Sequence, residues 1–295
     1  MEVLQKPKLS FFEAMPAYWT LLKPRLSLLV VISTLLSYVY ALENSPTIGS
    51  LIILGICGFL ITGSANACNQ IIEGELDSMM NRTRLRPIPT QTIDPLSAGI
   101  FSGILLILGL LGIGYYFNLT ASLLSFISFA LYVFIYTPLK PKTPLSVLVG
   151  AFPGALPILV GCIAASNQFY PDYFILFGIQ FFWQFPHFWA IAWVLDEDYQ
   201  RAGFRLLPFG REKDSTAAYY IFIYTVALVM VSMFPSFLKL VGTWYTVVTA
   251  FAGIGFLIFT IIHMRQLTVS SARKVMFYSF FYLPIVQLLL ALDKI

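Results

Sequence analysis

In the segment NQIIEGELDSMMNRTRLRPIP three oxygen-bearing side chains stand four residues apart: Asn69, Glu73 and Asp77. On a helix that spacing sets all three on one face, drifting by about 40° per step; Glu75 lies off it. Hard oxygen ligands on a common face suit Mg²⁺, which takes one or two carboxylates together with substrate phosphates. Arg82, Arg84 and Arg86 follow at once, and guanidinium groups match phosphate oxygens. Acids and arginines together describe a metal–diphosphate site better than either does alone. A solvated helix end has the same composition. This polar face, however, runs directly out of an apolar stretch, where polar groups are costly and usually functional.

A second segment, WQFPHFWAIAWVLDEDYQRAGFRLLPF, places Trp183, Gln184, Pro186, His187 and Trp189 ahead of Asp196, Glu197, Asp198 and Tyr199. Pro186 removes a helical hydrogen bond and is expected to kink the chain near His187. His187 reads as a ligand or acid/base group, or as an interhelical hydrogen-bonding residue. Its grouping with Gln184 and the aromatics suggests a pocket for a flat ligand. His263, the other histidine, stands beside Arg265 and reads as interfacial. Tyr136, Lys140 and Lys142 sit around TPLKPK. The lysines either snorkel at a helix end or face diphosphate or propionate groups. GAFPGALP, at 150–157, either lets helices approach closely or breaks one.

These residues must be positioned by membrane helices. Hydrophobic residues make up 58% of the 295 and charged residues 11%, against about 25% charged in soluble domains; mean hydropathy is +0.81. A soluble enzyme, a disordered regulator and a secreted disulfide scaffold are excluded on this balance. Cys57, Cys68 and Cys162 form no CxxC pair, so no zinc ribbon or haem-attachment motif is present. Nothing in the composition points to nucleic acid. Long stretches free of charge run over 26–42, 44–72, 95–139, 143–171, 173–195, 215–238, 240–264 and 275–292. A span needs roughly 20 apolar residues, so the 45 residues of 95–139 divide near Gly112, Gly114 and Asn118, which mark a turn. Alternating barrel strands are not seen. The expectation is an all-α integral membrane bundle of nine helices in a single domain, 1–295, with 1–20 a peripheral segment.

With the N-terminus in the cytoplasm, 16 of 18 Lys and Arg fall on the cytoplasmic side, as the positive-inside rule requires. Lys6, Lys8 and Arg211 are among them. Eleven of 14 acids share that side, concentrated in two loops, 69–94 and 196–214. No cleavable leader or transit peptide is evident over residues 1–25, so the expected location is a bacterial inner membrane.

The first acidic motif resembles that of the UbiA superfamily of intramembrane prenyltransferases. WQFPHFWAIAW followed by DEDYQRAGFRLLP resembles the haem-prenylating branch of that superfamily. Lys23-Pro24-Arg25, the 136–142 segment and GAFPGALP also match. The resemblance covers most of the chain, from Lys23 onward, and its ordered motifs make it specific. Glu73 stands where the family usually has Asp, which keeps the charge and moves the carboxylate by one methylene. The resemblance implies that farnesyl diphosphate and haem B combine at a haem vinyl group to give haem O and diphosphate. It implies Mg²⁺–diphosphate held by Asn69, Glu73 and Asp77, with Asp198 as chief acid of the second motif and Asp196 assisting. Arg82, Arg86, Lys140 and Lys142 would contact diphosphate oxygens, with Tyr136, Lys23 and Arg25 in the same substrate site. His187, with Gln184, would serve the haem side as axial ligand or as a base directing water. Haem A synthase or oxidase-assembly proteins would then receive the product. A quinone-precursor or chlorophyll-like acceptor is the nearest alternative, and WQFPHFW argues against it. A transporter would keep its polar site at the midplane, not on one arginine-flanked face.

Overall fold

The computed structural model describes residues 11–210 and 212–295. Lys6, Lys8 and Arg211 of the expected charge split lie outside the described residues. Helix α1 (Phe11–Leu21) has 11 residues, too short at about 1.5 Å per residue to cross hydrocarbon. Nine described helices are long and apolar enough to do so: α2 (Pro24–Ala41), α3 (Ile48–Ile72), α5 (Pro95–Tyr116), α6 (Leu119–Leu139), α7 (Ser146–Ser166), α8 (Pro171–Val194), α10 (Ser215–Phe237), α11 (Thr243–Gln266) and α12 (Val269–Leu292). Two short helices, α4 (Gly74–Met79) and α9 (Asp196–Arg201), sit in the acidic loops. The chain is an integral, multi-pass membrane protein. With no water at depth, every span must close its backbone bonds internally, and helices do so.

Local chemistry sets the helix starts. Proline opens α2, α5 and α8, where its missing N–H costs nothing. Asp94, Asn118, Asp214 and Thr268 each accept a bond from the backbone N–H three residues on, satisfying a donor the helix leaves open. The long stretch divides as expected, with Phe117 and Asn118 between α5 and α6. Gly112 and Gly114 do not make that turn. They lie inside α5, where Gly112 meets Cys57 of α3 and Gly114 meets Ser122 of α6, so they serve close packing.

Helices α2, α3, α5, α6 and α7 pack as one group, and α8, α10, α11 and α12 as another. The groups meet where α7 packs on α8 and α2 on α12. Of the nine, α7 is the most buried. It runs unbroken through Pro153 and Pro157, so GAFPGALP does not break it. The carbonyl of Pro153, which Pro157 cannot satisfy, accepts from Ser128 Oγ of α6 at 2.9 Å. Gly150 lies against the Tyr136 ring and Gly154 against the Gln184 amide: the small residues let neighbours close in. Helix α8 likewise continues through Pro186. His263 is fully buried, with Trp193 edge-on at 4.5 Å and Ser271 Oγ 2.9 Å from Nδ1. It is therefore packed inside the protein at the C-terminal end of α11, beside the start of α12, and not exposed there.

Candidate active site

Helix α3 ends at Ile72 and Glu73 caps it, yet the hydrogen-bond ladder crosses the break: Glu73 N donates to Asn69 O at 2.9 Å and Asp77 N to Glu73 O at 2.7 Å. The four-residue spacing therefore keeps its face into α4. Asn69, Glu73 and Asp77 are all buried, whereas Glu75 is exposed.

Each member of that face meets a partner from a different part of the chain. Lys23 Nζ donates to Asn69 Oδ1 at 2.9 Å, and Asn69 Nδ2 to Thr137 Oγ1 at 3.3 Å. Lys140 Nζ donates to both Glu73 oxygens, at 2.9 and 3.0 Å. Arg86 Nη1 donates to Asp77 Oδ2 at 2.7 Å. Asp77 Oδ1 is buried with no hydrogen-bond partner among the described residues. An acceptor in that position is costly unless a cation or donor meets it.

The cations are delivered by turns. Lys23 joins α1 to α2 in a left-handed conformation, φ 46°, which a non-glycine residue keeps only where its surroundings over-determine it. Those surroundings are polar residues of α3: Gln70 Nε2 donates to Leu21 O at 2.8 Å and Asn66 Nδ2 to Ser27 Oγ at 3.0 Å. Tight turns after α4, with Thr83 Oγ1 bonded to Asp77 O at 2.8 Å, bring Arg86 back over Asp77. Lys140 follows α6, which has a π-helical turn at Leu131–Tyr136, and lies 5.0 Å from the Phe204 ring centroid. Burial works against the charge on Lys140, but Glu73 together with Tyr199 and Tyr132 outweighs it, and the pKa lies above the ordinary lysine value. At Lys23 burial wins, with Arg86 adding to it against the attraction of Glu73, and the pKa is pulled down to about 7.

The second acidic motif approaches the first. Asp198 accepts from the backbone N–H of Asn81 at 3.0 Å and of Arg82 at 3.1 Å, and from Arg201 at 3.0 Å. Partial burial opposes its charge, but these donors prevail and hold the carboxyl below its usual range. Asp196 instead faces Lys213 at 3.5 Å and Gln200 at 3.0 Å. Among the described residues no three acids, histidines or cysteines are grouped closely enough to hold a metal ion by themselves. Asp196 thus makes its bonds within its own loop and none to Asp77. The Arg82 and Lys142 side chains are exposed, since their turns face them outward. Arg82 touches Asp198 through its backbone N–H, and Lys142 makes no side-chain hydrogen bond to the face among the described residues. Arg25 is also exposed; with Lys23, Arg86, Trp19 and Gln70 it lines a cavity of about 380 Å³. The Tyr136 ring lies beneath Lys140, 6.0 Å from Nζ.

Deeper in the bundle, Gln184 Nε2 donates to Ala151 O at 2.8 Å. His187 stacks on Trp183 at 4.3 Å, 16° from parallel, with Phe280 edge-on at 4.7 Å. Its Nδ1 lies 2.7 Å from Ser279 Oγ. Thr137, Phe204 and Ser279 do not stand out in the sequence. Each is an uncharged residue with no chemistry of its own to mark it, Phe204 even inside the second acidic motif, and only folding shows which charged or aromatic group it meets.

The sequence pattern of the UbiA prenyltransferase family matches residues 30–283. A protoheme IX farnesyltransferase from Cytophaga hutchinsonii is 43% identical over 95% of this chain and 98% of its own length. One from Christiangramia forsetii is 42% identical over 92% and 91%. Among solved structures, a digeranylgeranylglyceryl phosphate synthase superposes with a TM-score of 0.79 at 22% identity, covering 95% of this chain and 98% of the other. A UbiA homologue from Archaeoglobus fulgidus bound to DMAPP and Mg²⁺ superposes with a TM-score of 0.67 at 14% identity, covering 90% and 98%.

Proposed function

Because the chain belongs to the UbiA prenyltransferase family, we propose that it transfers a farnesyl group from farnesyl diphosphate to a vinyl group of protohaem IX, haem B, giving haem O and diphosphate. The observation that carries the reading is the buried face on which acids and bases alternate: Lys140 on Glu73 and Arg86 on Asp77. A Mg²⁺–diphosphate fits such a face, because acids can turn to the metal and bases to phosphate oxygens without leaving a buried charge unpaired. The unpartnered Asp77 Oδ1 is an acceptor suited to a cation. Since no three acids among the described residues are grouped closely enough to hold the ion by themselves, diphosphate oxygens would complete its shell around Glu73 and Asp77, with Asp198 joining from the second motif; Asn69 would orient it. Bound there, Mg²⁺ stabilises negative charge on the departing diphosphate.

This chain's residues then have distinct tasks. Lys140, Arg86 and Lys23 stabilise the leaving oxygens as the allylic C–O bond breaks. The surrounding apolar helices keep water from the allylic cation. A haem vinyl carbon bonds to farnesyl C1, water adds to the adjacent vinyl carbon, and a proton is released. The Trp183 and Phe280 rings beside His187 supply aromatic surface for the porphyrin. The charge split supports a cytoplasmic site in a bacterial inner membrane. Haem A synthase or oxidase-assembly proteins would take up the product. The test is purified protein incubated with haem B, farnesyl diphosphate and Mg²⁺, followed by mass analysis of extracted haems. Haem O should form, and leaving out Mg²⁺ should abolish it. Intact haem in the complete mixture would refute the assignment.

A further inference from the structure

His187 sits on α8 and Ser279 on α12, with ring Nδ1 2.7 Å from Ser279 Oγ. The direction of that bond follows from counting protons. The Ser279 hydroxyl has one proton, and its oxygen lies 2.5 Å from the Met276 carbonyl one turn back. A carbonyl oxygen only accepts, so the hydroxyl proton is committed there. The Oγ lone pair must therefore receive a proton from Nδ1. A neutral imidazole carries one N–H, which leaves Nε2 with an unshared pair.

Ser279 also fixes the neighbouring ring. Trp183 Nε1 donates to the Ser279 carbonyl at 2.8 Å, which holds the indole parallel to the imidazole. One residue thus sets the tautomer through its hydroxyl and the stack through its carbonyl. The ring contacts of His187 are Trp183, Phe188 and Phe280, and its hydrogen bond goes to a hydroxyl, not to a carboxylate. Charging this imidazole would bury an uncompensated cation, so the site is poorly built for a general base. Ligation by neutral Nε2 needs no such charge. A ring N–H held by a neighbouring oxygen is also the usual support of a metal-bound histidine.

We infer that Ser279 is a positioning residue that fixes His187 as its Nδ1–H tautomer, so that neutral Nε2 is presented as an axial ligand to the iron of the porphyrin acceptor. The iron half of the inference rests on the haem reading above; the tautomer half does not.

The experiment uses the full chain in detergent, ¹⁵N-labelled at histidine. With two histidines in the chain, His263→Gln assigns the His187 signals. Without haem, His187 should show a protonated Nδ1 and a bare Nε2; a protonated Nε2 overturns the proposal. Haem B is then titrated in. Wild type should give a histidine-ligated Soret band that His187→Ala loses. Ser279→Ala should weaken haem binding by about 10–100-fold and shift the band, with Ser279→Thr recovering both. Unchanged affinity and spectrum in Ser279→Ala overturns the positioning role. Wild type that shows the Nδ1–H tautomer but binds no haem overturns the iron half together with the haem reading.

Discussion

Replacing Asp77 by Asn isolates the charge of the acidic face from its shape. Asp77 is fully buried. Its Oδ2 accepts from Arg86 at 2.7 Å and its Oδ1 has no partner among the described residues. Asparagine can keep an oxygen on Arg86 but puts an N–H₂ group where the orphan oxygen stood. Removing one partner of a buried pair outright costs about 3–5 kcal/mol; the retained hydrogen bond should keep the folding cost below that. The functional loss is larger. A unit charge 4 Å from a monovalent ion is worth about 4 kcal/mol at an effective dielectric of 20, and Mg²⁺ carries twice that charge. Allowing about 3–4 kcal/mol after water and neighbours compensate, kcat/KM should fall by about 10²–10³. Glu75→Gln, on the exposed side, should stay within about 0.5 kcal/mol, roughly a twofold change. The assay is Mg²⁺-dependent release of diphosphate by purified protein, with Tm measured in the same detergent. Equal losses in the two variants, or an Asp77→Asn protein at near wild-type rate, would refute the argument that the helical face holds the ion.

Lys23, pulled down to about 7 by burial and Arg86, is deprotonated more readily folded than unfolded. The unfolded chain therefore binds the extra proton between about pH 7 and 10.5, and this residue's contribution to stability rises with pH through that window and is lost below it. Anionic diphosphate should recharge it, so calorimetry near pH 8 in buffers of different ionisation heat should show proton uptake that Lys23→Arg removes; equal uptake in both would contradict the assignment. Gly154→Ala sets a methyl against the Gln184 amide, and overpacking of this kind costs about 1–3 kcal/mol. Tm and haem-dependent turnover should both fall while farnesyl diphosphate binding holds, and an unchanged Tm would show that the contact is slack. A reporter fused after Asn118 should face outward and one within 200–214 the cytoplasm; the same side for both would overturn the nine-span order.

The spans were legible because lipid leaves few options: charge-free stretches of span length become helices. The i, i+4 face of Asn69, Glu73 and Asp77 was legible too, and its hydrogen bonds persist even where the helix breaks at Glu73. The partners were not. That Arg86 rather than Arg82 returns to Asp77 depends on turns closed by Thr83 and Met80, and neighbouring arginines look alike in sequence. Gly112 and Gly114 signalled a turn because glycine permits one, but the same lack of a side chain serves close packing inside α5. Ser279 carries no motif; its importance lies in a contact with a residue 92 positions away.

The identity of the acceptor separates haem prenylation from quinone prenylation. Purified protein should be given farnesyl diphosphate, Mg²⁺ and equal concentrations of haem B and an aromatic quinone precursor, and all products resolved by mass. The product should be a haem heavier than haem B by one farnesyl and one hydroxyl group, with the quinone precursor unchanged. A farnesylated quinone precursor beside untouched haem would contradict it.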